Sequence, residues 1–405
     1  MASTFWSEWF WLPEGVTWDD LKSEESDKYQ PQVKDLSIVL YLAIFVFLIR
    51  KILERFLFTK IGEYFCIRDR VPKKAPKNNI CEESYKIRKF PKEDALLQLS
   101  KQTDLSVRQI ERWFRVRRNQ DRPSMMCRFT EAAWRFTFYF SIFMYGLWVL
   151  WDKEWFADST YCWKGYPYHY LSSGIYWYYQ IEMSFYWSLL FSQFFDVKRK
   201  DFWEMFFHHL ATIFLLTFSW SLNFTRVGTL VLVIHDAVDF WLEIAKCAKY
   251  AGFQKLCDAG FAIMGIVWFV TRLVIYPFKV LKTSWFECKE IVGIYPSLYV
   301  FNAMLLVLLI LHVYWFKLIV IVAYRAIFKS HEDNQEITDI RSSTEEEVSE
   351  EAEADSNNTA SSNHIANHYD GKKASKLLSR NTTSKASVDD CLPTDQSSAC
   401  NHTDK

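Results

Sequence analysis

The side chains with chemistry to offer gather between Asp201 and Glu243, in the run DFWEMFFHHLATIFLLTFSWSLNFTRVGTLVLVIHDAVDFWLE. Two apolar stretches, each long enough to cross a bilayer, flank a short polar link at 221–226. The first carries His208 and His209; the second carries His235, Asp236, Asp239 and Glu243. An ionisable group at membrane depth costs roughly 2.5–3.5 kcal/mol on insertion scales, so a set of them signals function by default. Imidazole serves as general base or as nucleophile when a carboxylate orients its second nitrogen. Adjacent helical residues stand about 100° apart, so His208 and His209 cannot point in one direction. Asp236, Asp239 and Glu243 fall at i, i+3 and i+7 and form one acidic stripe, with His235 one turn from Asp239.

These residues must be held by apolar helices, and the sequence supplies them. A span needs about 20 predominantly apolar residues. The chain offers seven candidates, at 36–58, 132–151, 174–195, 202–220, 227–245, 259–278 and 298–324. The expected fold is therefore all-α and polytopic, with 132–325 as the catalytic membrane domain. Basic residues crowd the region after the first span and are sparse before it, which places the N-terminus outside and 51–131 in the cytosol. Loops at 196–201 and 246–258 carry lysine and arginine on the predicted inner side, while Lys279, Lys282 and Lys289 weaken the contrast outside. Odd parity puts the C-terminus in the cytosol and His208 about two turns in from the cytosolic end. The two spans should be antiparallel neighbours sharing one cavity.

Composition narrows the classes. Lys plus Arg and Asp plus Glu each total 48, a formal charge of zero, which argues neither for a nucleic-acid binder nor for an acidic-substrate protein. Nine cysteines show no metal-finger or disulfide spacing. Residues 1–35 are rich in Trp and Phe, suited to a membrane interface, and read as a lumenal segment without a cleavable signal. Residues 330–405 hold too little apolar surface to fold and are expected to be disordered. Within them Ser342, Ser343, Thr344 and Ser349 precede acidic runs of the kind acidophilic kinases favour. The sequon at Asn223-Phe-Thr225 lies flush with the membrane and is not expected to be glycosylated.

The cytosolic block at 67–128 has its own pattern. Glu93 to Thr103 repeats apolar residues at helical spacing, and Val107 to Arg118 reads VRQIERWFRVRR. This resembles the last two helices of a homeodomain, with Trp113, Phe114, Arg117 and Arg118 matching the recognition helix. Val116 stands where the adenine-reading asparagine belongs, and valine cannot make that bidentate contact. A small helical cap with a basic face is the plainer reading, and DNA is not an expected partner.

Three functional classes compete for the buried set. A di-iron oxidase needs many spaced histidines, and of the nine here His331, His364, His368 and His402 sit in the tail. A proton-coupled lipid transporter can use an Asp/His chain. An acyltransferase uses histidine on a carbonyl.

The run DFWEMFFHHLAT followed by RVGTLVLVIHDAVDFWLEIAK is similar to the ceramide synthase family within the TLC-domain membrane proteins. FWLPEGVTWDDL, the homeobox-like region, TRLVIYPFKVL, FECKEIVGIYPSLYVFNAM and the acidic serine tail resemble its animal homeobox-containing branch. A membrane-tethered transcription regulator becomes the lesser reading. The resemblance implies N-acylation of sphinganine or sphingosine by a fatty acyl-CoA in the endoplasmic reticulum membrane, with no bound cofactor, no metal, and a homo- or heterodimer as a further partner. It implies a six-helix bundle with His208 as nucleophile. His209, His235, Asp236 and Asp239 complete the catalytic set. Arg226, Glu243 and Arg272 are expected to contact substrate. Lys198, Arg199 and Lys200, with Arg117 and Arg118, are candidates for the coenzyme A phosphates. The segment with Glu287, Glu290, Gly293, Tyr295, Pro296 and Tyr299 is implied to influence acyl length, and looks most like members favouring palmitoyl-class chains.

Overall fold

The computed structural model describes residues 6–22, 29–67, 69, 73–196 and 202–328. Among them there is no strand. The first long helix, α1, runs Val33–Tyr64. A group of three follows: α2 Asn79–Ile87, α3 Glu93–Thr103 and α4 Val107–Gln120. Six long helices complete the chain. They are α5 Met125–Leu150, α6 Ser173–Ser192, α7 Phe202–Ser221, α8 Thr225–Tyr250, α9 Gln254–Ile291 and α10 Pro296–Phe328.

Each expected span falls on one of the long helices. By length and apolarity alone three qualify as membrane-crossing: α1, α9 and α10. The other four are 20 or 26 residues long, which at 1.5 Å per residue gives roughly 30–39 Å. Their average is lowered by the polar groups they turn inward, among them Glu182, His209, His235, Asp236 and Glu243, all buried.

Helices α5 to α10 close a ring in the spatial order α5, α6, α7, α10, α9, α8 and back to α5. Helix α1 packs on the outside, mainly against α6. The ring order changes one expectation. Helices α7 and α8, although joined by the short link at 222–224, sit on opposite sides of the ring, so His208 and His235 approach from facing walls.

Local chemistry explains where the helices start and bend. Ser124 caps α5 by accepting the Cys127 amide at 3.1 Å, as an N-cap serine should. Helix α9 takes wide π-type turns through Phe269–Leu281, around Pro277; proline lacks the amide for regular spacing, and such turns recur at functional sites. Gly228 on α8 permits a close crossing, because a Cβ there would stand 1.6 Å from the Tyr179 hydroxyl of α6.

One end of the ring is sealed by aromatic residues. Trp11 of the N-terminal segment stacks on Phe218 at 4.7 Å, and its carbonyl accepts from the Ser297 hydroxyl at 2.9 Å. The described part of the segment is packed structure at this end. The Trp163 indole donates to Thr283 Oγ1 at 3.0 Å. Asn223, only 2 % exposed, donates its side-chain amide to the carbonyls of Pro167 and His169 at 2.7 and 2.9 Å. That use of the amide agrees with the expectation that this sequon carries no glycan. Burial pushes His169 down to about 4, with the Arg226 guanidinium adding to the effect.

The opposite end carries α2–α4. Their core is Cys81, Tyr85, Leu96, Leu99, Ile110, Trp113 and Phe114. Ser106 and Gln109 form a reciprocal capping box at the start of α4. Near this end Arg50 holds Asp196 through two bonds of 2.7 and 3.0 Å, and Arg135 reaches the same carboxylate at 3.1 Å. The cluster pins α1 to α5 and to the end of α6.

Candidate active site

Two cavities occupy the ring, one above the other. The first is apolar and runs toward the aromatic end, between Val227, Val231 and Leu232 of α8, Leu215 and Leu216 of α7, and Leu298, Phe301, Leu305 and Leu308 of α10. It encloses about 720 Å³, its opening included. Trp163 and Phe224 stand at its far end. The second lies toward the α2–α4 end and is polar, lined by Arg135, Tyr139, His209, Asp239, Glu243 and Arg272 with Trp268 and Trp315. Tyr186, His208 and His235 line both. An apolar tunnel and a polar chamber therefore meet at two histidines on facing helices.

The histidines differ in how they are held. The His235 Nδ1 stands 2.6 Å from the Val231 carbonyl, and its Nε2 stands 2.9 Å from Nε2 of His312 on α10. A carbonyl only accepts, so Nδ1 carries the proton. In a neutral pair His312 is then the donor to His235, and both ring nitrogens of His235 are occupied. His312 is fully buried, and Trp268 donates its indole to the His312 carbonyl at 3.2 Å. The His209 Nδ1 faces Gln193 Oε1 at 3.1 Å. His208 packs edge-on against Trp315 at 5.4 Å, and its Nδ1 is buried without a hydrogen-bond partner among the described residues.

The acidic stripe divides. Asp236, with no exposed surface, turns away from both cavities and accepts from the Tyr178 hydroxyl at 3.2 Å. Asp239 faces the chamber and pairs with Arg272 at 2.8 Å. Arg272 also donates to the His235 carbonyl at 2.9 Å and lies over the Trp268 ring at 4.0 Å. Glu243 pairs with Lys246 at 2.8 Å and lines the chamber. A carboxylate orienting an imidazole was the expectation. At His235 a backbone carbonyl and a second imidazole take that place, because Asp236 lies on the side of α8 that faces α6.

Other expected site residues fall elsewhere. Arg226 is at the aromatic end, donating to the Tyr161 carbonyl at 2.6 Å and lying over Trp155 at 4.7 Å. It is nine residues before His235, roughly 13 Å along the helix, and lines neither cavity. In the segment implied to influence acyl length, Tyr295 is buried, Glu287 bonds Ser159 at 2.9 Å, and Glu290 and Tyr299 are exposed. Gly293 adopts a positive φ of 102° just before Pro296 opens α10. The nearby residues that do line the tunnel are Ser284, Leu298 and Phe301. Arg117 is held by Glu82 and Asp121 at 2.9 Å and at 2.5 Å, and Arg118 lies over Phe90 at 4.5 Å. Both are committed inside the small module and poorly placed to meet phosphate. Lys198, Arg199, Lys200, Ser342, Ser343, Thr344 and Ser349 lie outside the described residues.

Sequence reasoning passed over His312, Glu182 and Arg135. Each is an ionisable residue within a long helix, the same signal that singled out His208, and could have been found by applying it to every span.

Comparison with known proteins agrees with this architecture. The TLC domain family matches residues 128–321, and the homeodomain family matches 68–123. Ceramide synthase 5 of Homo sapiens is 45 % identical over 370 residues, covering 90 % of this chain and 94 % of that protein. Ceramide synthase 4 of Homo sapiens is 41 % identical over 352 residues, covering 86 % and 88 %. Ceramide synthase hyl-1 of Caenorhabditis elegans is 34 % identical, covering 80 % of each chain. Such identity over nearly the whole length, with the TLC domain matched over residues 128–321, shows that the chain belongs to the ceramide synthase family.

Proposed function

We propose that the chain makes ceramide, by moving the acyl group of a fatty acyl-CoA onto the amine of a sphingoid base such as sphinganine, with His208 acting on the acyl carbon. The observation that carries this reading is the meeting of an apolar tunnel and a polar chamber at His208. A thioester has the same division, an apolar chain on one side of the carbonyl and a polar carrier on the other. With the chain in the tunnel, the carbonyl falls at the junction and the coenzyme A moiety lies toward the α2–α4 end. Transporter and oxidase readings give no account of a tunnel closed by Trp163 and Phe224 at one end. The degenerate recognition helix lends no support to a DNA-binding reading.

The His208 Nδ1 is sealed by packing, which leaves Nε2 to meet the substrate. In the two-step route Nε2 adds to the thioester carbon, the C–S bond breaks, and the coenzyme A thiolate leaves. The neutral amine of the sphingoid base then adds to the acyl-imidazole, the C–Nε2 bond breaks, and the amine's proton ends on the thiolate. Acyl-CoA and amine become amide and thiol, and His208 is regenerated. Asp239 and Glu243, facing the same chamber, are suited to an ammonium and its neighbouring hydroxyls. The ion pair with Arg272 at 2.8 Å compensates the Asp239 carboxylate.

The further assignments are an endoplasmic reticulum membrane, an N-terminus in the lumen and the α2–α4 module in the cytosol where acyl-CoA is made available. The test of the covalent route is single-turnover mass spectrometry on purified protein given palmitoyl-CoA alone. An acyl adduct on the His208 peptide is expected. Turnover with both substrates but no adduct with one would replace the covalent route by general-base catalysis.

A further inference from the structure

Among the described residues three side chains border both cavities, and the roles of two are accounted for. The third is Tyr186 of α6, 5 % exposed and next to the histidines, with its ring 6.2 Å from that of His209. Three other buried tyrosines of the ring use their hydroxyls on protein groups: Tyr178 on Asp236, Tyr179 with Ser219, and Tyr276 on the Leu305 carbonyl. The Tyr186 hydroxyl bonds to none of the described residues. It is left to the cavities its side chain borders, where a ligand acceptor can take its hydrogen bond.

We propose that the Tyr186 hydroxyl is the hydrogen-bond donor for the acyl carbonyl oxygen, and hence a catalytic residue. The inference rests on the acyl-transfer reading and adds a group to it. When a nitrogen adds to the thioester carbon, the C=O π pair moves onto oxygen, and the Tyr186 O–H holds that oxyanion. Collapse re-forms the carbonyl and expels the thiolate, with the tyrosine proton never leaving its oxygen. The same donor serves the second addition, when the amine attacks the acyl-imidazole. A neutral donor fits a chamber whose cations are already paired, Arg272 with Asp239 and Arg135 with Glu131 and Asp196.

The test uses full-length protein in detergent, with palmitoyl-CoA and sphinganine, comparing wild type, Tyr186→Phe and Tyr145→Phe. Tyr145 of α5 lines neither cavity, donates to the Gly174 carbonyl at 3.2 Å, and controls for the loss of a hydroxyl from the helix packing. Tyr186→Phe is expected to lose roughly 10²- to 10³-fold in kcat, the range for one oxyanion donor. Its KM and that of Tyr145→Phe should stay within about threefold of wild type, since the packing is kept. A fluorinated tyrosine at 186, a more acidic donor of the same shape, covers the case in which phenylalanine disturbs folding. Its rate should fall with rising pH where wild type is flat, as the phenol ionises and ceases to donate. A Tyr186→Phe enzyme within about threefold of wild type in kcat overturns the inference. So does a fluorotyrosine pH profile identical to wild type. Absence of amide from the wild-type enzyme overturns the underlying reading instead.

Discussion

The α2–α4 module and the six-helix ring both bury polar groups, and they treat them in opposite ways. In the module every notable charge is answered nearby. Arg117 sits between Glu82 and Asp121, Tyr85 donates to Asp121 at 2.9 Å, and Ser106 closes a capping box. In the ring, groups that are just as deeply placed point at open space. His208 offers an imidazole at a junction of cavities, and Tyr186 offers a hydroxyl with no acceptor among the described residues. Satisfied polar groups hold a fold; unsatisfied ones wait for a ligand. By that standard the module is a packed cap with Val116 where a reading asparagine would stand, and the ring is where the proposed chemistry has groups to offer.

The contrast can be broken at several points. The largest expected effect comes from Arg272→Met, which leaves Asp239 uncompensated beside the chamber. Losing one partner of such a pair costs about 3–5 kcal/mol, to be read as a lower thermal midpoint in detergent. Adding Asp239→Leu should restore the midpoint and leave acyl transfer abolished. If the double variant is active, the pair has only a structural role.

A smaller effect is expected in the tunnel. Leu305→Trp shortens the apolar space without touching the histidines, so preference should move toward shorter acyl-CoA by about tenfold, the scale of a methylene or so of misfit. Competition between acyl-CoAs of different length measures it, and an unchanged ranking would remove the tunnel as the acyl site.

The smallest effects should come from the module. Arg117→Ala, at a half-exposed pair, is expected to cost about 1 kcal/mol or less in stability and to leave acyl transfer intact. Lowering pH probes the same pairing. The Arg117 bond holds Glu82 below its ordinary value. Burial raises Asp121, but its bonds from Arg117 and Tyr85 outweigh that and hold it lower. Carboxyls depressed in the folded state stabilise above their unfolded values and lose that contribution as pH falls through the folded ones. Acid below the ordinary carboxylate range should therefore loosen the module, seen as faster amide exchange in α2 and α4. Exchange that does not change with pH there would contradict the pairing.

How much of this was legible in the sequence depends on what kind of fact it is. The helices were legible because runs such as 202–220 and 298–324 are apolar over a bilayer's width. His208, His235 and Asp239 stood out because charge is expensive in such runs, whereas Arg272 was singled out through the family resemblance. The partners were not legible. Which helix faces α7 is set by packing around a closed ring, so the expectation that α7 and α8 lie side by side failed. For the same reason the sequence left open whether Asp236 or Asp239 would orient an imidazole. In the structure Asp236 bonds Tyr178 while Asp239 pairs with Arg272. Arg226, expected at substrate, bonds the Tyr161 carbonyl. Tyr186 carried no sequence signal, since tyrosine is common throughout these helices. Its place at the border of both cavities, without a bond to the described residues, distinguishes it.

The central claim is that His208, at the junction of tunnel and chamber, acts on the acyl carbon. Its most direct test is amide formation from palmitoyl-CoA and sphinganine by purified wild-type and His208→Gln protein, with thermal midpoints compared in parallel. The account predicts amide product from wild type and a loss of roughly 10³-fold or more in the variant at an unchanged midpoint. A His208→Gln enzyme that still makes amide at near the wild-type rate would contradict it.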